Sequence, residues 1–242
     1  MSTNSIRLGS VVLLSGTLLI AGATLAEAAT PAASQAASLS TIQSKAAAAI
    51  TLRVNDLNAA VAKVNGDSKL GSGASALAAY LQQDIPSLQA LGQKIAADTS
   101  APAARTDAAT IFTNYRVLAL VLPAAHLAGA GDQIENTTVP KLTSLSAKAA
   151  ARETPANQAT IGPLLSDLNA QISAAGNGAS GLASTVLGYS PAQWNANHAL
   201  LASSKYAAQG ALGDLTKAGA DVKQIRADLK AGTAAAGTTP TT

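Results

Sequence analysis

Thr113-Asn114-Tyr115-Arg116-Val117-Leu118-Ala119-Leu120-Val121-Leu122-Pro123-Ala124-Ala125-His126-Leu127 is the most apolar run of the chain outside its N-terminus, and no charge occurs from Val117 to Gly131. A helix that is apolar all round lies in a protein core or in a membrane. Spanning takes about 18 or more apolar residues with few interruptions, and this run is broken by Pro123, His126, Gly129 and Gly131. The stretch predicts a buried helix over about 103–136, kinked by a proline that removes a donor and clashes with the preceding turn. That helix decides the fold class: all-α, an antiparallel bundle of about five long helices.

The flanking segments repeat the helical period. Upstream, Ile42, Ala46, Ile50, Val54, Leu57, Val61 and Val64 recur at spacings of three and four, which sets them on one face of a helix over 40–64. Asn65-Gly66 stops it. Leu77, Leu81, Ile85, Leu88, Leu91 and Ile95 mark a second helix over 74–98, with a kink near Asp84 imposed by Pro86. Downstream, Asn136 to Pro140 break the pattern, and 141–152 continue as helix with Leu142, Leu145 and Ala149 inward. Leu164, Leu165, Leu168, Ile172 and Ala175 give a helix over 156–175. Ser190-Pro191-Ala192-Gln193 is the clearest helix start, with a Ser cap, Pro in the first turn and Gln at N3. The last helix is expected over 190–231, with Leu201, Ala208, Leu212, Leu215, Val222, Ile225 and Leu229 on one stripe. Asp56-Leu57-Asn58-Ala59-Ala60-Val61 echoes Asp167-Leu168-Asn169-Ala170-Gln171-Ile172; chance similarity in an Ala-rich chain accounts for it, and a duplicated helical half is the alternative.

Composition supports helices. Hydrophobic residues are 48% of the 242, yet aromatics are only 2%. Ala is the best helix former but buries little area, and β-branched clusters that would favour a sheet are sparse. The sixteen Lys and Arg, for a net charge of +3, are scattered singly. Nucleic-acid binding needs them clustered. The absence of Cys removes disulfides, thiolate metal sites, Cys nucleophiles and a lipoprotein anchor together.

Residues 1–28 read as a secretory signal. Arg7 lies in the n-region, an apolar h-region runs from Leu8 to about Ile20, and Ala26-Glu27-Ala28 supplies the cleavage motif. Cleavage is expected after Ala28, with Ala26 and Ala29 as alternatives. Residues 29–38 read as a flexible lead, 39–232 as the bundle and 233–242 as a disordered tail. No membrane span is expected once the leader is removed, which places the protein outside the cell or in its envelope.

Little in the sequence speaks for a reaction. Nucleophile elbows, zinc-protease helices and P-loops are all missing. The two histidines, His126 and His198, have no second metal ligand three or four residues away. His126 reads as a core residue near the Pro123 kink. Arg116, if buried, needs a carboxylate from another helix, and Asp84 and Asp107 are candidates. Trp194 and His198 form an i, i+4 pair on the first turns of the last helix, where the Trp would plug one end of the bundle. Tyr115, Arg116, His126, Trp194 and His198 are thus weak ligand-binding candidates. Catalytic residues, metal and cofactor are expected to be none.

The stretch Asn114 to Leu127, behind a leader and an Ala-rich amphipathic helix, resembles a group of uncharacterised exported Ala-rich helical proteins of actinobacteria and related Gram-positive bacteria. The resemblance implies bacterial export and a helical fold, and it carries over no site residue. The expected function is a non-enzymatic, extracytoplasmic protein that acts by interaction with a partner protein or the cell wall. One alternative is a carrier of an apolar ligand in the core near Leu118–His126 and Trp194, lined by Ala119, Ala125 and Gly129. Another is a wall-polymer hydrolase, which would need two acids, or Ser with His198, in one cleft.

Overall fold

A computed structural model describes residues 32–236, with side chains over 36–231. The leader lies outside the described residues. Eight helices account for nearly all of the described residues: α1 (Ala32–Gly66), α2 (Gly73–Gln82), α3 (Ile85–Ala97), α4 (Ala101–Ala150), α5 (Gln158–Ala179), α6 (Leu182–Leu187), α7 (Pro191–Ala196) and α8 (Ala202–Ala236). No strand occurs among the described residues. The all-α expectation holds, with α2 and α3 as one helix broken at Gln83–Asp84, where Pro86 enters in the first turn of α3. The ends of the bundle extend further than expected: α1 begins at Ala32 and α8 reaches Ala236. Both extensions are rich in Ala, which gives the backbone little reason to leave the helix.

The fifty-residue α4 is the axis. It contributes Ala104, Ile111, Val117, Val121, Ala124, Ala125 and Ala128 to a first core built with α1, α2, α3 and α6. Past Gly131 it contributes Ile134 and Leu142 to a second core with α5 and α8. The inward residues named for the first two long helices are buried or half-buried. In α8 the expected stripe also faces inward except at Leu212, which is 40% exposed, and Ala211 and Ala218 are buried beside it. The α5–α8 pair is close, since a Cβ on Gly178 would lie 3.3 Å from Ala211 Cβ. A Leu turned inward at that crossing would hold the helices apart.

The prolines do not stop α4. Two of its turns are widened to π geometry, Val117–Val121 and Ile134–Thr138, and each ends two residues before a proline, Pro123 and Pro140. Widening moves the backbone away from the clash that a proline ring makes with the turn before it. Leu122 N–H donates to Val117 O, and Val139 N–H to Ile134 O, five residues back in each case. Thr138 Oγ1 donates to Gln133 O at 3.2 Å and supplies a partner for that carbonyl. The break expected at Asn136–Pro140 is therefore a bulge in a continuous helix. By length and composition α4 could cross a membrane, but 56% of its most apolar window is buried inside the protein.

Polar side chains close the ends. Gln43 Nε2 donates to the carbonyls of Ile95, Ala96 and Asp98 at 3.1, 3.2 and 3.1 Å, capping α3 from a neighbouring helix. The α1–α2 loop is tied to α4 by Gln133 Nε2 donating to Asp67 Oδ2 (2.7 Å) and Thr137 Oγ1 donating to Lys69 O (2.7 Å). Gly71 takes the left-handed conformation that this loop requires (φ 56°).

Candidate binding site

A third π turn, Ile111–Tyr115, precedes no proline, and it ends at Arg116 in the left-handed conformation (φ 49°, ψ 31°). Arg116 is the one non-glycine residue at positive φ among the described residues. For a residue with a side chain this conformation costs on the order of 1–2 kcal/mol. Backbone bonds repay part of it: Arg116 O accepts from the amides of Ala119, Leu120 and Val121 at 3.1, 2.7 and 3.2 Å. A tertiary clip supplies more. Asn195 Nδ2 donates to Thr113 O (2.9 Å), while its Oδ1 accepts from Arg116 Nε (2.6 Å), so one amide holds both sides of the break. Helix α7 presents that amide. A capping box starts it, with Gln193 N–H donating to Ser190 Oγ (3.3 Å) and Ser190 N–H donating to Gln193 Oε1 (2.8 Å).

Beside the break lies a cavity of about 70 Å³ lined by Arg53, Ile111, Phe112, Arg116, Val117, Leu118 and Ala119. Arg53 comes from α1 and is 7% exposed. It stands three residues after Ile50 and four before Leu57, on the inward stripe of its helix, which carries a guanidinium into the core. Its guanidinium carbon sits 4.6 Å from the centroid of the Phe112 ring, and one terminal nitrogen donates to Ala49 O at 2.9 Å. The Nε is buried and has no partner. Burial pushes the Arg53 pKa down, and the Asp56 carboxylate opposes that shift. Phe112 and Leu118, by contrast, are 41% and 45% exposed. The lining thus offers two arginines beside apolar surface. Guanidinium groups match the geometry of carboxylate and phosphate oxygens.

The residues predicted from sequence divide around this place. Arg116 lines it, and Tyr115 ends the π turn just before the break without lining the cavity. Tyr115 is half-buried, and its phenol pKa is raised by burial and by Asp84. The same two causes push Tyr80 up to about 12, and burial raises Asp84 itself. Arg116 pairs with neither carboxylate proposed for it: half-buried, it finds the Asn195 amide, while Asp107 bonds Lys94 Nζ at 2.8 Å. Trp194 and His198 flank Asn195, but not on one helix, since α7 ends at Ala196 and a turn separates it from α8. Their rings still meet edge-on, 5.8 Å apart at 84°. His126 is no core residue. It lies on the outer side of α4, opposite Ala124, Ala125 and Ala128, is exposed, and has a pKa lowered by partial desolvation and by Lys63.

Sequence reasoning missed Arg53, Phe112 and Asn195. The placing of Arg53 on an inward stripe was a usable signal; nothing local marks the other two. The small residues expected to line a core cavity do not all do so. Ala119 lines the small cavity, but a Cβ on Gly129 would meet Leu70 and Leu77 at 3.5 Å, so that crossing is filled. A larger cleft of about 460 Å³, lined by Ser68, Lys69, Asn136, Thr137, Pro140, Lys141 and Ser144, is shallow, and both its lysines are exposed. Among the described residues no three His, Cys, Asp or Glu side chains gather as metal ligands would. Compared with family models, curated proteins and solved structures, the chain matches none.

Proposed function

We propose that this is an exported bacterial protein that acts outside the cytoplasm by binding a partner or the cell wall, without catalysing a reaction. The observation that carries this reading is the face around Arg116. Phe112 and Leu118 remain largely exposed beside a strained break in the axial helix, next to two guanidinium groups. No proline forces that break, and strained backbone of this kind gathers at functional sites. The N-terminal leader read from the sequence supports export, and the missing reaction motifs support a binding role.

Co-sedimentation tests it. The purified protein is mixed with envelope from the cells that export it, and retention is compared with that of Leu118→Asp. Wild type is expected in the pellet. Loss of one buried Leu contact, about 1.5–3 kcal/mol, lowers the variant's retention at least about ten-fold, with its helical circular dichroism unchanged. Equal retention of the two proteins, or consumption of wall polymer by the wild type, overturns the reading.

A further inference from the structure

We infer that the cleft between Arg53 and Arg116 is a subsite for a carboxylate carried on an apolar group. The inference rests on the binding role proposed above and names the chemistry that the site takes.

Arg53 is the starting point. A buried guanidinium without a carboxylate partner is costly, because the lost hydration is returned only by pairing and hydrogen bonds. Here the Phe112 ring and Ala49 O return part of it, and a buried Nε–H is left over. Unpaired buried donors are rare enough in folded proteins to call for an explanation. Arg53 lines a cavity shared with Arg116, whose guanidinium bonds through Nε to a neutral amide and to no carboxylate among the described residues. The 70 Å³ of free space suits a group the size of a carboxylate, and guanidinium forks match carboxylate oxygens in pairs. Around the mouth stand Phe112 and Leu118, both partly exposed, which favour an apolar continuation of the ligand. A free organic acid and a peptide's terminal carboxylate share this chemistry.

Arginine Nε–H NMR on the purified protein tests the inference directly. Sodium acetate, sodium hexanoate and sodium chloride are titrated at constant ionic strength. Saturable shifts of the Arg53 and Arg116 signals are expected with acetate, and hexanoate should bind on the order of ten-fold tighter through buried methylenes. Arg116→Gln should weaken both acids about ten-fold. Leu118→Ala should abolish the preference for hexanoate while leaving acetate binding intact, which also shows that this variant is folded. A short Ala-Leu peptide with a free C-terminal carboxylate, compared with its amide, separates the sources. Preference for the acid form supports the subsite with a peptide occupant, and binding of hexanoate alone supports it with a free acid. Shifts of the same midpoint with chloride, or acid binding unchanged in Arg116→Gln, overturn the inference. Failure here with envelope retention intact removes only the carboxylate; retention lost with acid binding intact removes only the proposed role.

Discussion

The two cores along α4 are built differently. The second, between α5, α8 and the end of α4, is a regular pairing of long helices. Ala175, Ala179, Ala211 and Ala218 let the backbones approach, and Leu168, Ile172, Leu215 and Ile225 fill the seam. The first core draws on more helices and holds a left-handed break in its axial helix. The irregular part holds a buried Arg, an exposed Phe and a clip from a distant helix. Both kinds of bulge are held from outside the helix: the one before Pro140 by the α1–α2 loop, through Thr137 and Gln133, and the one at Tyr115 by Asn195 of α7.

The comparison can be broken first by truncation. Ile111 beside the break, in the first core, and Leu168 in the second are both fully buried. Truncation to Ala at each is expected to cost about 2–5 kcal/mol in urea unfolding. A much smaller loss at Ile111 would mean that the irregular core is loosely packed and the contrast is one of order, not of design. Next comes the clip. Asn195→Ala removes two exposed hydrogen bonds and should cost about 1–2 kcal/mol. Faster amide exchange at Val117 to Val121 and unchanged exchange in α5 would place the loss at the break. Exchange that rises equally in both cores would erase the distinction. Ser190→Ala attacks the same clip from its far end, through the capping box, and about 1 kcal/mol is expected in thermal unfolding.

The smallest effect is electrostatic. Burial raises the pKa of Asp84, next to the two tyrosines of the first core. A raised carboxyl pKa means that the unfolded chain ionises first, so stability is lost as pH rises from about 4, the ordinary Asp value, through the folded value. Asp84→Asn should therefore be more stable than wild type at neutral pH, and the advantage should vanish below that window. Unfolding midpoints measured across pH check the sign. His126 runs the other way: its lowered pKa contributes stability above about pH 6.5 that fades as pH falls through the folded value.

Much of this was legible. Ile50, Leu57 and Val61 on α1, or Leu81, Leu88 and Ile95 across the Pro86 break, announce their burial through spacing alone, because a helix has a fixed period and water rejects one face of it. The Ser190 cap was readable because its chemistry is confined to four consecutive residues. The start of α8 was not: Asn197 turns extended and its Oδ1 accepts from Ala199 N–H at 3.0 Å, a side-chain turn that Asn can also forgo within a helix.

The sequence by itself determined that this protein is helical, where most of its helices lie and which faces are apolar, since these depend on interactions three or four residues apart. Only the tertiary structure decided that Pro123 and Pro140 bulge the axial helix without ending it, that Arg116 turns left-handed, and that Arg53 meets Phe112. Those outcomes depend on partners tens of residues away: Thr113 and Arg116 joined by Asn195, and a guanidinium on α1 covered by a ring on α4. The energies involved are a few kcal/mol between distant groups, and no local pattern encodes which of them will meet.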